Sequence, residues 1–330
     1  MPSVIPVKRT ALAAQGAVTD WKLRHDFTAV ARGVVIPTPE DHDPSAFGGF
    51  AVDGVTRAWA NHLNHPDAVI GGWQAADIHG LGPDWGDSAP VLLLAGHRRN
   101  GSLISTSAAK TPLRPVVRPL PPGLETCTPC PLFPQMKVVT PPVAAVQCLW
   151  TILNGRHSWW VHDIPDMSRE GRCAVQFLDA LAQATWITRA EILAASKGLV
   201  PRDILAPLLD LADDGAQSPM ETAMRLIVRD LLPEPYRWQS QVRVDLLPDA
   251  HRGWTPRTLP DLGCPELKIA LYYDGGHHSE GAQTEVDFNQ FHALRDLGWE
   301  VIRFTKSHLR CPGDMRELVV KAIRRALQNR

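Results

Sequence analysis

Leu267-Lys-Ile-Ala-Leu-Tyr-Tyr-Asp-Gly-Gly-His-His278 is the stretch on which the reading of this chain turns. Its apolar run, Ile269-Ala-Leu271, reads as a buried strand that delivers Asp274, Gly275, Gly276, His277 and His278 to its exit. An apolar strand that ends in an acid, two glycines and a histidine pair ends where solvent or a ligand reaches it. The glycines leave the backbone open beside the acid. A second acid, Asp261, stands just upstream in Thr258-Leu-Pro-Asp261-Leu-Gly263. Downstream, Glu280 to Leu297 has the pattern of a crossover helix and Trp299 to Phe304 that of a further strand. Acids and imidazoles gathered at strand ends can hold a divalent cation and activate water for phosphodiester cleavage.

Working outward, Ser218 caps a helix running to Leu231, with Pro219 in its first turn. Glu221 and Arg225 are four residues apart and share one face of that helix, a spacing that also suits an ordinary surface ion pair. Gln239 to Leu246 alternates like a strand, Asp261 ends or follows the next one, and Met315 to Leu327 closes the chain as a helix. Strands flanked by helices give an α/β sandwich.

Five elements in order carry a family resemblance: Ser218-Pro-Met-Glu221-Thr-Ala-Met-Arg225, then Asp261, Tyr272-Tyr-Asp274-Gly-Gly-His-His278, Asp287-Phe-Asn-Gln290, and Gly298-Trp299-Glu-Val301-Ile-Arg303-Phe304-Thr305. Together they resemble the very-short-patch-repair-like branch of the PD-(D/E)XK nuclease superfamily. The resemblance implies a restriction-endonuclease-like α/β sandwich and a metal-dependent DNA endonuclease. It implies Mg²⁺ or Mn²⁺ on Asp261, Asp274 and Glu221, with His278 as general base and His277 as its substitute. It also implies Lys268 or Arg303 on the developing phosphate charge and Arg225 near phosphate. Two positions depart from the pattern: Tyr272 stands where the branch has Glu, and Gln290 where it has Arg. Tyrosine, with a reference pKa of about 10, stays neutral and is a poor ligand for a hard cation. A site short of one acid binds its metal more weakly and leans toward Mn²⁺. Tyr272→Glu is therefore expected to strengthen Mg²⁺-dependent cutting. The departures also favour two other readings: a DNA-binding regulator or antitoxin-like protein on a nuclease fold that no longer cuts, or a protein-interaction module of a mobile element or phage.

The sequence divides into three regions, 1–85, 86–215 and 216–330. In the first, a short helix over Lys8 to Gln15, a second over Val18 to Val30 and a strand at Arg32 to Pro37 fit a winged-helix unit. With Ala75-Ala-Asp-Ile-His-Gly-Leu81, this region resembles the N-terminal part of AbiEi-type antitoxins, which implies DNA and a toxin or other protein as partners. Lys22 and Arg24, flanked by Trp21 and His25, are the candidate DNA contacts, although Asp20 and Asp26 sit beside them. In the second region, Arg98 and Arg99 precede an Asn100-Gly101 turn and read as a phosphate-facing patch or as a solvated turn. A Pro-rich stretch from Pro112 to Pro134 is an extended connector or edge segment, and four helical patterns follow it. Trp159 and Trp160 read as core or as an interaction patch.

The composition is that of a globular protein, with 44% apolar and 21% charged residues among 330. A net charge of -1 gives no global drive toward nucleic acid, so any such contact is local. No apolar run is long enough to span a bilayer and the N-terminus has no secretory pattern, so no membrane partner and a cytoplasmic location are expected. Cys127-Thr-Pro-Cys130 has zinc-knuckle spacing but no second ligand pair, which favours a proline-rich connector with two thiols.

Overall fold

The computed structural model describes residues 4–14, 16, 18–40, 50, 52–82, 85–96, 114–131, 134–246, 257–275 and 290–329. The fold is mixed α/β and divides into two compact units: residues 1–157 with 184–206, and residues 158–183 with 207–330. This differs from the three regions expected from sequence. Strand pairing crosses residue 86, and residues 158–183 supply core to the second unit. Pro207, inside a helix, stands where the division falls.

The first unit opens with β1 (Val7–Lys8), α1 (Arg9–Ala14), α2 (Asp20–His25), β2 (Phe27–Ala31) and β3 (Val34–Pro37), and its strands form an antiparallel sheet ordered β1-β3-β2. The helix expected over Val18 to Val30 stops at His25. Its N-terminus is capped by Thr19, whose hydroxyl accepts from the Lys22 amide at 3.3 Å. Beyond Asp26 the chain turns back through Gly33, at φ +69°, and pairs as a hairpin. That pairing buries Val30, Val34 and Ile36 in a small core, which outweighs helix continuation.

The unit continues with α3 (Gly54–Asn64), β4 (Val69–Gly71), α4 (Gly72–Ile78), β5 (Leu92–Ala95), β6 (Val116–Pro119), β7 (Thr126–Cys127), β8 (Val138–Val139) and α5 (Pro141–Leu153). Its mixed sheet is ordered β6-β5-β4-β8-β7. β6 lies at an edge of that order, where Pro119 costs no ladder bond, as the Pro-rich stretch suggested.

The second unit holds α6 (Arg169–Ala184). α7 (Arg189–Ala195) belongs to the first unit and carries a Thr188–Glu191 capping box, and α8 (Arg202–Leu211) contains Pro207. Then come α9 (Pro219–Val228), β9 (Gln239–Ser240), β10 (Val244–Asp245), β11 (Arg257–Thr258), β12 (Leu262–Cys264) and β13 (Ile269–Asp274). A helical segment over residues 290–296, here α10, leads to β14 (Glu300–Thr305), α11 (Lys306–Leu309) and α12 (Pro312–Gln328). The main sheet is ordered β14-β13-β12-β9, with β14 parallel to β13 and the other pairs antiparallel.

The single strand expected over Gln239 to Leu246 is two strands. Gln241 adopts φ +51°, so β9 pairs with β12 while β10 forms a separate ladder with β11. Asp261 follows β11 and immediately precedes β12. Gly263 is required in β12, because a Cβ there would lie 2.9 Å from the Ile269 carbonyl oxygen. Among the described residues no helix is long and apolar enough to cross a membrane.

Candidate functional site

β13 has two working faces, as strand alternation requires. Ile269, Leu271 and the partly buried Tyr273 pack on one, against Ala223, Met224 and Ile227 of α9 and Met315, Val319 and Ile323 of α12. Tyr272 packs on the other, with Val242, Val244, Leu246 and Leu294. The pattern places Asp274 on the Tyr272 side and α9 on the Tyr273 side.

Two of the expected acids meet at the α9 edge. Glu221 stands in the first turn of α9, where its carboxylate accepts from the Gln217 amide at 2.9 Å and the Ser218 hydroxyl at 2.9 Å. The Gln241 side-chain amide donates to Glu221 Oε2 at 3.2 Å and also bonds to Asp261. Asp261 Oδ2 accepts the Tyr273 amide at 2.6 Å, just beyond the end of the β12 ladder. Burial pushes the Asp261 carboxyl up to about 6, and the charge of Glu221 adds to the rise. The Tyr273 N–H and the Gln241 amide pull the other way. A half-buried carboxyl facing another carboxylate has a raised proton affinity, a feature that functional sites share with some structural networks.

The other expected residues are placed differently. Asp274 is ion-paired with Arg303, on the side of the sheet where Arg303 also approaches the Phe291 ring. Tyr272 is no empty ligand position: its hydroxyl is 2.6 Å from the Thr258 hydroxyl and its ring lies edge-on to Phe291. Lys268 lies at the opposite end of β13, ~20 Å of strand away from Asp274, and its Nζ donates to the Leu297 carbonyl at 2.9 Å. It is too remote to share the Asp274 end. Arg225 does not face that end either. It donates to buried Asp179 at 2.7 Å and to the Leu211 carbonyl at 2.6 Å. Among the described residues no three His, Cys, Asp or Glu side chains are grouped to hold a metal ion, so Asp261, Asp274 and Glu221 do not form the expected trio. His277 and His278 lie outside the described residues, as do Arg98 and Arg99.

In the first unit Lys22 and Arg24 are exposed on α2, beside Trp21, which stacks on His25 with ring centroids 4.2 Å apart. Cys127 and Cys130 are not in a disulfide, and Cys127 Sγ lies 4.0 Å from His79 Nε2.

Sequence reasoning missed three contributors. Gln241 bridges the two acids from a left-handed backbone that no local signal announces. Asp179 and Gln176 sit on the buried face of α6 and hold the start of α9. Gln176 donates to the Pro219 carbonyl at 2.8 Å, and Asp179 accepts from the Thr222 hydroxyl at 2.7 Å. An acid inside Val175-Gln-Phe-Leu-Asp179-Ala-Leu181 was the available signal, since an unpaired acid does not sit among apolar neighbours. No protein-family model, curated protein or solved structure matches the chain.

Proposed function

We propose that the second unit is a PD-(D/E)XK-type nuclease domain that hydrolyses DNA phosphodiesters with a divalent cation. The observation that carries this reading is the Glu221–Asp261 pair, two carboxylates bridged by one amide at the edge of β13. The element order supports it: a leading helix, strands, a helical segment and a further strand follow one another as the sequence reading expects, and the last strand runs parallel to β13.

The pair fits a hard cation. Its like charges are poorly compensated by neutral donors, and Mg²⁺ commonly uses only one or two carboxylates together with substrate phosphate. Glu221 and Asp261 would hold Mg²⁺ or Mn²⁺, which when bound supplies Lewis acidity and a water of lowered pKa. Gln241 orients both carboxylates, and the Tyr273 N–H fixes Asp261. Ser218 and the Gln217 amide fix Glu221. The strand–helix–helix–hairpin order of residues 7–37, with its β1-β3-β2 sheet, supports a winged-helix unit that presents Lys22 and Arg24 to DNA.

A second reading, a DNA-binding regulator on a fold that does not cut, is favoured by the core packing of Tyr272 and the Asp274–Arg303 pair. The two part company on plasmid and single-strand cleavage with Mg²⁺ and with Mn²⁺, wild type beside Asp261→Ala. Cleavage that vanishes in the variant supports the nuclease. A folded wild type that cuts with neither metal leaves the regulator.

A further inference from the structure

The segment leading into α6 presents an aromatic and basic surface that the acids do not use. Trp160 is 60% exposed, and His162 beneath it is 2% exposed. The two rings meet edge-on with centroids 4.5 Å apart. One imidazole nitrogen bonds to the Leu309 carbonyl, while His162 Nε2 is buried with no hydrogen-bond partner among the described residues. Arg172 pins the segment by donating to the His162 carbonyl at 2.7 Å and to Asp163 at 2.6 Å. Exposed Lys306 and Arg310 stand near enough to oppose a charge on His162. Register fixes where this surface lies. Asp274 pairs with Thr305 across β13 and β14, so Lys306 follows at the sheet end that carries Asp274 and the Tyr273 amide on Asp261.

Trp160 stands on His162, and Lys306, Arg310 and the exposed Asp163 all act on that imidazole, so a planar ligand with separated negative charges can cover the ring and meet the two cations. Duplex bases are already stacked on each other, so such a ring gains most from an unpaired base. We propose that Trp160, His162, Lys306 and Arg310 form a contact surface for single-stranded nucleic acid, with a base stacked on Trp160 and phosphates on Lys306 and Arg310. His162 backs the ring from beneath. The proposal rests on the nuclease-type reading only in expecting nucleic acid as the partner, and it needs no metal.

The test is fluorescence anisotropy of the full-length protein with a labelled 20-mer, single-stranded or duplex, in EDTA. Trp160→Ala is expected to weaken single-strand binding by about five-fold or more, with Trp160→Phe restoring most of it. Lys306→Ala with Arg310→Ala is expected to weaken binding and lower the salt slope by about 1.4, as two lost phosphate contacts require. Either variant binding like wild type, while keeping its circular dichroism and melting profile, overturns the proposal. So does a wild type that binds neither oligonucleotide, or that prefers the duplex. Binding that depends on Trp160 in a protein that cuts nothing keeps this surface and removes the nuclease reading.

Discussion

Asp179 and Asp261 are both carboxyls that burial pushes upward, and they belong to the same unit. Asp179 is 1% exposed and faces Arg225, with the Thr222 hydroxyl and the Asp213 amide completing its bonds. Asp261 is less buried, yet among the described residues it faces another acid and neutral donors. The sign of the neighbour separates them. An opposite charge makes a buried acid into scaffold, whereas a like charge leaves it wanting a proton or a cation.

The largest effect that would sharpen this comparison is on the scaffold side. Asp179→Ala leaves Arg225 buried and uncompensated and should destabilise the second unit by about 3–5 kcal/mol, read by denaturant unfolding. A loss below about 1 kcal/mol would place Asp179 outside the scaffold. Next comes Tyr272. Because it fills an apolar cluster, Tyr272→Glu should cost roughly 2–4 kcal/mol and give no cutting beyond that of wild type, contrary to the expectation from sequence alone. Tyr272→Phe should cost only about 1 kcal/mol, for the lost bond to Thr258. A stable Tyr272→Glu protein that cuts faster with Mg²⁺ than wild type does would show that position 272 faces the metal.

Asp261 gives a smaller effect with a pH signature. Its carboxyl is raised from 3.8 to about 6, so the folded protein binds that proton more tightly than the unfolded chain. The stability it contributes is complete below 3.8 and is lost as pH rises through about 6. Asp261→Asn removes this titration and keeps an acceptor for the Tyr273 amide. The variant should therefore gain on wild type as pH climbs, by on the order of 3 kcal/mol at pH 7. A pH-independent difference would break the contrast with Asp179. The smallest effect is expected at the exposed Glu317–Lys321 pair, where Lys321→Ala should change stability by no more than about 0.5 kcal/mol.

Much of the second unit was legible because local chemistry and tertiary packing agree there. The Ser218 cap, Pro219 at the first turn and the apolar run of β13 each specify what the fold uses. The Glu221–Asp261 meeting was legible only as a motif order. The strand at Phe27 to Ala31 was hidden because Val18 to Val30 carries no breaker, and long-range pairing with β3 decides it. Gln241 was hidden for a related reason: its left-handed backbone is imposed by two ladders pulling β9 and β10 apart. The separation of Asp274 from Glu221 follows from strand alternation, but only once the packing face of β13 is known.

The most direct measurement is Mn²⁺ titration calorimetry on wild type, Glu221→Gln, Asp261→Asn and Asp274→Asn. The account predicts one binding event that is abolished in Glu221→Gln and Asp261→Asn and kept within a few-fold in Asp274→Asn, whose carboxylate is committed to Arg303. Binding that survives loss of Glu221 and Asp261 but disappears with Asp274 would contradict it.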